Sequence, residues 1–411
     1  MEYKVYGCKV NKFYLNKWIA HLTEKNQLSD DVFLVATCVV TDRAKMKWVK
    51  EVVEKAKEWK RIFIAWCWSI TWWKPTPRDT FFSYYPELKP YDSQITLLAE
   101  DPLEGAECWF SFKMPWQKLR TKNYVIIQNG CDNHCSFCLT IFKRGPHRNR
   151  PLEEIIEEIH QIEQWWWKEI VLTGINLAAR GTSDTRNSNE SKFNELLKTI
   201  IKETSVPRIR ISSLDPQYLN DEFFEILNNQ RFCPHFHFSI QSFSDEVLKN
   251  MNRAYDSKKL DYTLKAIRAL DRPDREFISV GADIISWFAW ETDEDFEITC
   301  EGIKKYWITK LHAFPFSDHH IAEKIPASLL PNQVPQELRK WRNRKLIEIW
   351  DQVRDEFIIK NYWRKAEVLI EEVKNWKSKW WTDNYIQLAL PKEYHSWEIV
   401  ITNITEENCI F

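Results

Sequence analysis

The amino-acid sequence predicts an α/β protein with three parts: an N-terminal parallel α/β domain, a central partial (β/α) barrel and a small C-terminal β-barrel. Its 411 residues, of which 44% are hydrophobic and 28% charged, have the balance of a globular protein with a sizeable core. Short apolar runs alternate with segments of helical periodicity through most of the chain, an order typical of parallel sheets. From about residue 362 onward only strand-like runs remain.

The first part, residues 1–115, alternates strand and helix. The apolar runs predict strands at 3–6, 32–36 and 62–65, with helices at 11–25 and 44–59. This order implies right-handed crossovers and therefore a parallel sheet. Scattered prolines and weak periodicity over 74–115 indicate the end of this domain and a connection.

The second part, residues 116–355, repeats the alternation at greater length. Strands are predicted at 124–128, 169–173, 208–212, 235–241, 278–285 and 310–314, with helices at 152–164, 191–204, 219–229, 258–270 and 292–306. Six such units favour an open or partial barrel, whose site lies at the carboxyl ends of its strands. The polar run 182–191 is predicted to be a surface loop.

The third part, residues 356–411, follows a long amphipathic helix predicted within 331–359. Short strand-like runs at 367–370, 385–388 and 398–401 have the spacing of a small β-barrel.

Charge and hydropathy restrict the classes of partner. The formal net charge of −1 gives the chain no overall attraction to nucleic acid or membrane, so such a partner must be met by a local patch. The longest nearly apolar run, 62–73, is too short to cross a bilayer, and the first residues contain no apolar signal core. We therefore expect a cytoplasmic protein whose ten cysteines are reduced and available to metal.

Tryptophan and glycine occur in unusual numbers. The chain has 22 tryptophans and 8 glycines, whereas average usage of about 7% predicts roughly 29 glycines. Trp376 follows Asn375 where Asn-Gly would form a hairpin turn, and three tryptophans at 165–167 stand where glycine usually ends a helix. We hypothesise that the gene uses UGA for glycine and that these codons have been written as tryptophan. The alternative is a tryptophan-rich protein with aromatic binding surfaces.

A cysteine-rich loop is the sharpest candidate for chemistry. Cys131, Cys135 and Cys138 follow a predicted strand directly, and thiolates are the ligands that Fe–S clusters need. Three ligands to a four-iron cluster leave one iron open to a substrate. A zinc site with His134 as fourth ligand, or thiols without a ligand role, are the alternatives. The third cysteine and the strand context favour the Fe–S cluster.

A second set of cysteines is dispersed in the sequence. Cys8, Cys38 and Cys67 each follow one of the first three predicted strands within two residues. The ends of parallel strands share one edge of a sheet, so we expect these thiols to converge on a second cluster. The alternative is three small buried hydrophobic residues. The remaining cysteines share no such placement and are interpreted as ordinary: Cys108, Cys233, Cys300 and Cys409.

The cysteine loop is similar to that of radical S-adenosylmethionine enzymes, and nearly the whole chain resembles the methylthiotransferase branch of that superfamily. The stretches that carry the resemblance are 7–11 (Gly-Cys-Lys-Val-Asn), 37–41, 128–131, 169–174, 210–216, 239–242 and 251–253. Gly-Cys-Lys-Val-Asn points to the subgroup that acts on N6-threonylcarbamoyladenosine at position 37 of tRNA.

The resemblance implies two 4Fe–4S clusters and S-adenosylmethionine. Cys131, Cys135 and Cys138 would hold the cluster whose open iron binds S-adenosylmethionine, and its reductive cleavage would give a 5′-deoxyadenosyl radical that activates C2 of the target adenine. Cys8, Cys38 and Cys67 would hold an auxiliary cluster that carries the sulfur. A second S-adenosylmethionine would supply the methyl group, while the protein positions the reactants and excludes water.

Polar residues and glycine near the carboxyl ends of predicted barrel strands are candidates for holding S-adenosylmethionine. They are Gly174, Ser213, Gln241 and Asp283. The alternative for each is an ordinary strand-end or turn residue, and for Asp283 an internal hydrogen-bonding role.

The tail resembles the small RNA-binding β-barrel, the TRAM-like module, that ends these enzymes. Local positive charge for phosphates comes from Arg364, Lys365, Lys374, Lys377 and Lys379. A denser basic patch after the cysteine loop is expected to contact the tRNA anticodon arm: Arg144, His147, Arg148 and Arg150. The alternative in both places is a solvated charged face.

Several positions depart from the family pattern. Ala36, Phe243 and Ala289 stand where Asn, Gly and Pro are usual. Tryptophan stands where the family has glycine at Trp66, Trp68, Trp287, Trp290, Trp363 and Trp380. Because tryptophan cannot occupy the space or backbone of glycine unchanged, the chain as printed is expected to bind cofactor poorly and a glycine-restored chain to bind it.

The sequence therefore predicts a transferase of sulfur-containing groups that adds a methylthio group to C2 of N6-threonylcarbamoyladenosine in tRNA. It would need an electron donor and a sulfur source, and no membrane. Alternatives are another tRNA adenosine or a ribosomal protein as substrate, and, in another class, a non-catalytic zinc-containing RNA-binding protein.

Overall fold

The computed structural model describes residues 1–38, 42–65, 67, 69–71, 74–98, 123–165, 167–183, 190–317, 325–370, 378–390, 394 and 398–410. Among these residues, no helix combines the length and the apolar character needed to cross a membrane.

The N-terminal unit is built on a four-stranded parallel sheet in the order β1-β2-β3-β6. Its elements are β1 (Glu2–Val5), α1 (Lys9–Glu24), β2 (Val32–Ala36), α2 (Asp42–Lys57), β3 (Arg61–Ala65), β4 (Ile70–Thr71), β5 (Lys74–Pro75), α3 (Arg78–Tyr84) and β6 (Ile95–Leu98). Every residue of β2 is buried, as is usual for a central parallel strand. The three predicted strands are confirmed, and β6 is a fourth that lies within the stretch interpreted as a connection.

The central unit contains six parallel strands in two sheets, β7-β10-β11 and β12-β13-β14. Bridges from Ile209 to Phe232 and from Leu214 to Phe238 join the two sheets into one open barrel wall. Its elements are β7 (Asn123–Ile126), β8 (Gln128–Asn129), α4 (Thr140–Arg144), β9 (Arg148–Asn149), α5 (Leu152–Gln164), β10 (Glu169–Thr173), α6 (Phe193–Glu203), β11 (Arg208–Ile211), α7 (Asp221–Leu227), β12 (His235–Gln241), α8 (Asp245–Asn250), α9 (Ser257–Arg268), β13 (Ser279–Ser286), α10 (Asp293–Lys305), β14 (Ile308–Pro315) and α11 (Gln336–Lys360). All six predicted barrel strands are confirmed.

Alternation along the strands gives the barrel wall an apolar outside and a polar inside. On β12, Phe236, Phe238 and Ile240 join the apolar core. The residues that alternate with them include His235 and His237, which are also buried but lie on the opposite face, where His237 meets Asp283. The helices therefore pack on the apolar face, and the polar face is left for a site.

The C-terminal unit closes the end of the barrel where the strands begin. Its strands are β15 (Lys365–Leu369), β16 (Ser378–Trp381), β17 (Gln387–Leu390) and β18 (Ile399–Asn403). They form two antiparallel pairs, β15 with β18 and β16 with β17. The predicted strand-rich tail is confirmed, while the small closed barrel stays a prediction because 371–377, 391–393 and 395–397 lie outside the described residues.

A buried charged network joins this unit to the barrel. Arg208 and Arg210 each lie about 3.0 Å from Glu169 Oε2, and all three side chains are almost fully buried. Arg210 also donates to the backbone oxygens of Thr382 and Asp383, at 3.1 and 2.8 Å. The tail thus supplies hydrogen-bond acceptors that the barrel arginines use.

Five of the tryptophans that the structure describes have a left-handed backbone. The φ angles of Trp59, Trp287, Trp290, Trp307 and Trp363 lie between 54° and 77°. This conformation costs a residue with a β-carbon about 1–2 kcal/mol, and glycine adopts it freely. Three of these positions are among those where glycine was expected: Trp287, Trp290 and Trp363.

Trp59 shows the geometry in detail. It follows the C-cap of α2, where its N–H donates to Ala56 O at 3.0 Å and Lys60 N–H donates to Lys55 O at 3.2 Å. These two bonds define a Schellman motif, whose left-handed residue is usually glycine. Asn26 occupies the same position after α1, with φ 52°.

The other tryptophans expected to be glycine differ. Trp380 is buried in the apolar core of the C-terminal unit, on strand β16, and is not among the described residues with left-handed backbone. Trp66 and Trp68 lie outside the described residues. The UGA hypothesis stays a prediction, with five backbone conformations in its favour.

Candidate active site

The loop that carries Cys131, Cys135 and Cys138 is closed on itself. Cys131 N–H donates to Gly145 O at 3.1 Å, and Cys138 N–H donates to Cys135 O at 3.0 Å. Gly130 has φ 73°, and a β-carbon there would lie 1.8 Å from Pro146 O. The closure therefore requires glycine at position 130, and it holds the three cysteines in one compact loop.

The end of α8 holds the other side of this loop. Ser136 N–H donates to Met251 O at 3.1 Å, and Ser136 Oγ donates to Asn250 O at 2.8 Å. Asn252, whose backbone has a left-handed conformation like that of Asn26, donates to His134 O at 2.9 Å. His134 itself is exposed, whereas the three thiols are half-buried.

A buried ion pair lies against the thiols. Arg253 donates to Cys135 Sγ at 3.1 Å and to Asp215 Oδ2 at 2.9 Å. Asn133, within the loop, donates to the same carboxylate oxygen at 3.2 Å. Burial raises the pKa of the Cys135 thiol, and the guanidinium of Arg253 opposes that rise. Burial also raises the pKa of Cys131, with a further contribution from Cys135.

This environment fits a thiolate-bound cluster. Asn176 Nδ2 lies 3.9 Å from Cys131 Sγ, while Asn176 Oδ1 is buried without a hydrogen-bond partner among the described groups. The three thiols form a donor set suited to an Fe–S cluster, and the guanidinium of Arg253 beside one of them suits the negative charge of such a cluster. Because burial raises the pKa of the Cys131 and Cys135 thiols and so favours their protonated form, metal binding would release protons.

The second set of cysteines meets around Asn11. Asn11 Nδ2 donates to Tyr6 O at 3.1 Å and to Thr37 O at 2.6 Å, which ties the turns before Cys8 and Cys38 together. Its Oδ1 lies 3.6 Å from Cys67 Sγ. A β-carbon on Gly7 would lie 3.1 Å from Cys38 Sγ. Three cysteines far apart in sequence are thus brought to one residue, and their thiols also suit a cluster.

The basic patch after the cysteine loop is not a surface patch as a whole. Arg144 is 1% exposed and Arg150 5% exposed, so the expectation that both contact tRNA is wrong. Arg150 pairs with Glu158, and Arg144 reaches Asn11 and Cys67. The sequence pattern shows positive charge but not which side chains are buried.

Two of the four candidate residues for S-adenosylmethionine lie together on the inner barrel wall. Ser213 Oγ donates to Asp283 Oδ2 at 3.0 Å. Asp283 Oδ1 lies 2.9 Å from His237 Nε2 and 3.0 Å from His312 Nδ1. Burial alone would raise the pKa of Asp283, but the two histidines outweigh it and hold that pKa below its usual range.

The neighbouring strand makes room for this group. A β-carbon on Gly281 would lie 2.2 Å from His237 Nδ1, so glycine at 281 lets the imidazole lie against the wall. The group of His237, Asp283 and His312 was missed in the sequence because isolated histidines on strands are usually core residues. Its signal was that each lies on the inward register of β12, β13 or β14.

The other two candidates lie at strand ends. Gly174 follows β10, and a β-carbon there would lie 3.0 Å from both Gln128 O and Gln128 Oε1. Gln128 Oε1 accepts the N–H groups of Ile175 and Asn176, and its Nε2 donates to His147 Nδ1 at 2.9 Å. Gln241, at the end of β12, is buried and has φ 69°. Gln128, Asp215 and Arg253 are site residues that carried the resemblance but were given no role.

Comparison with known proteins agrees with this architecture. Residues 125–301 match the radical SAM superfamily. The chain is 30% identical to the threonylcarbamoyladenosine tRNA methylthiotransferase of Rickettsia prowazekii, over 95% of this chain and 91% of the relative. It is 31% identical to the protein of that name from Thermotoga maritima, over 82% and 79%. It is also 28% identical to a tRNA-2-methylthio-N(6)-dimethylallyladenosine synthase of Campylobacter jejuni, over 90% and 87%.

The barrel and its cysteine loop thus define a radical SAM enzyme, which uses a 4Fe–4S cluster and S-adenosylmethionine. Sequence identity over nearly the full length of the Rickettsia relative indicates which family of radical SAM enzymes the chain belongs to. The chain belongs to the family of threonylcarbamoyladenosine tRNA methylthiotransferases.

Proposed function

We propose that this enzyme adds a methylthio group to C2 of N6-threonylcarbamoyladenosine at position 37 of tRNA, in the cytoplasm. The observation that carries the proposal is the presence of two thiol triads, Cys131-Cys135-Cys138 and Cys8-Cys38-Cys67. Arg144, just after the first triad, contacts Asn11 and Cys67 beside the second. One triad suffices for radical chemistry, whereas a sulfur-inserting reaction needs a second place to hold sulfur. The names of relatives that cover most of the chain support the nucleoside.

The first triad, Cys131, Cys135 and Cys138, would hold the radical SAM cluster. Once reduced by an electron donor, the cluster and bound S-adenosylmethionine would supply the radical chemistry. The residues of the chain orient the group: Arg253 lies against Cys135, and Asp215 holds Arg253. The closed loop and the end of α8 keep the thiols fixed.

The second triad, Cys8, Cys38 and Cys67, would hold a second 4Fe–4S cluster, which would carry the sulfur and be replenished by a sulfur source. Asn11 fixes the turns that present these thiols. Gly174, Ser213, Gln241 and Asp283 would contact S-adenosylmethionine, with Ser213 and Asp283 acting as one hydrogen-bonded pair.

Contacts with tRNA would come from the remaining exposed basic residues. Lys365 and Lys379 of the C-terminal unit are exposed, whereas Arg364 is engaged with Asp383 at 2.6 Å. Lys374 and Lys377 lie outside the described residues. Removing exposed lysines should weaken binding of all tRNAs alike and reduce its salt dependence.

The test is nucleoside mass spectrometry of tRNA from a host that lacks the modification. The host expresses a glycine-restored chain, with glycine at 59, 66, 68, 287, 290, 307 and 363. A methylthio group on threonylcarbamoyladenosine is expected. Its absence with both clusters loaded would refute the proposal in favour of dimethylallyladenosine or a ribosomal protein, and zinc in place of iron and acid-labile sulfide would favour a binding protein.

Cysteine variants separate the two triads. Alanine at 8, 38 and 67 should abolish methylthio transfer while S-adenosylmethionine is still cleaved, and alanine at 131, 135 and 138 should abolish both. Cys300→Ala is the matched control, because Cys300 is a buried cysteine on α10 outside both triads. Methylthio transfer by the first variant would contradict a sulfur-carrying role for that triad.

A further inference from the structure

Arg144 connects the two thiol triads. It is the last residue of α4, six positions after Cys138, and the backbone oxygen of the next residue, Gly145, accepts the N–H of Cys131. Its side chain leaves this loop and enters the N-terminal unit. There Nη2 donates to Asn11 Oδ1 and lies 3.4 Å from Cys67 Sγ.

The position of this guanidinium implies a nearby negative charge. Arg144 is 1% exposed, and a buried ion costs several kcal/mol unless an opposite charge accompanies it. Asn11 offers the guanidinium a neutral oxygen, and a cluster held by Cys67 would bring a negatively charged ligand sulfur to its other contact.

Thiolates at this place are what a bound cluster would require. A thiolate-ligated cluster carries net negative charge, and hydrogen bonds to its sulfurs and nearby charges set its reduction potential. A cation beside a ligand sulfur stabilises the reduced, more negative form, and therefore raises the potential. Arginine suits this role because it stays protonated and can donate to an amide and a sulfur together.

We propose that Arg144 is a positioning residue of the second triad: its buried guanidinium, beside the ligand sulfur of Cys67, raises the reduction potential of the cluster held by Cys8, Cys38 and Cys67. The inference rests on the proposed function, since it presumes that this triad holds a cluster. It assigns to a residue of the radical SAM loop a task in the other site. The same loop then fixes the first triad at one end and tunes the second at the other.

The test isolates the second cluster. In the full glycine-restored chain, alanine at 131, 135 and 138 removes the first cluster, and the second is titrated with reductant while its electron paramagnetic resonance signal is followed. Arg144→Met should shift its midpoint potential to a more negative value, while Arg144→Lys, which keeps the charge, should shift it less. Arg180→Met is the matched control, because Arg180 is also buried but donates to Ile127 O and Arg150 O.

Each outcome decides between the proposals. A negative shift in Arg144→Met with none in Arg180→Met supports the inference. Equal potentials in Arg144→Met and its parent overturn it and leave the proposed function standing. If the parent assembles no second cluster, the proposed function fails at that triad and the inference falls with it. If Arg144→Met does not fold, Arg144→Gln, which keeps a donor amide but removes the charge, takes its place, and an unshifted potential in Arg144→Gln overturns the inference.

Discussion

Replacing Trp59 with glycine or with alanine separates backbone conformation from side-chain contacts. The tryptophan side chain is 84% exposed, and both replacements remove it. The two variants differ in the β-carbon, which alanine has and glycine lacks, at a residue whose φ is 60°. That β-carbon costs about 1–2 kcal/mol in left-handed backbone, and the greater freedom of glycine in the unfolded chain offsets about 0.4–1 kcal/mol. Trp59→Gly should therefore be more stable than Trp59→Ala by about 1 kcal/mol.

Trp165 provides the matched comparison. It also ends a helix and is 50% exposed, but its φ is −90°. Alanine is favoured over glycine in such ordinary backbone, by about 0.5–1 kcal/mol. At position 165 the alanine variant should therefore be more stable than the glycine variant, the opposite of what is expected at position 59.

The assay is urea denaturation of the full chain followed by far-ultraviolet circular dichroism, because fluorescence would change with the tryptophan removed. A difference of about 1 kcal/mol corresponds to a midpoint shift of about 0.3 M for a slope near 3 kcal/mol/M. If alanine equals or exceeds glycine at position 59, the left-handed conformation is not a constraint there, and the structural argument for glycine fails.

Three further predictions concern the site. Arg253→Met should lower the free energy of unfolding by about 3–5 kcal/mol and deplete iron from the first triad, because it leaves the charge of Asp215 buried without its partner. Urea denaturation midpoints and iron analysis measure the two effects. An undiminished iron content would contradict the prediction. Asp283→Asn should weaken S-adenosylmethionine binding by about tenfold or more in equilibrium dialysis, and an unchanged Kd would exclude the contact. Burial lowers the pKa of His147, so the neutral ring that accepts from Gln128 is favoured. The stability that this group contributes is therefore complete above a pH of about 6.5 and declines as the pH falls. Iron retention should fall with it, and a pH profile identical in His147→Asn would assign the loss to another group.

The barrel could be predicted from sequence because its strands are apolar runs of the right length between helices. The alternation of apolar and polar residues is a weaker signal for strands where the sequence mixes charged residues, prolines and aromatic residues. Strand β6, Ile95–Leu98, lies in such a stretch, and β16, Ser378–Trp381, begins with Ser-Lys. Both pair with neighbours through backbone hydrogen bonds, which the sequence pattern does not record.

That the cysteines lie close together could also be predicted, because each follows a strand and parallel strands end at one edge of a sheet. The residues that hold them could not. Arg144 and Asn11 are separated by 133 positions, and Arg253 lies 118 positions from Cys135. Contacts of that range depend on how helices and loops pack, so a basic run in the sequence was interpreted as surface when its first arginine is buried.

The charged network at the start of the barrel strands has a consequence for how the molecule can be divided. A cut near residue 356 would follow the domain boundary that composition predicts. It would also strip Arg210 of the Thr382 and Asp383 oxygens and expose Glu169 to water from below. The C-terminal unit therefore covers the end of the barrel where the strands begin, and a chain cut before it would expose to water the buried charges of Glu169 and Arg210.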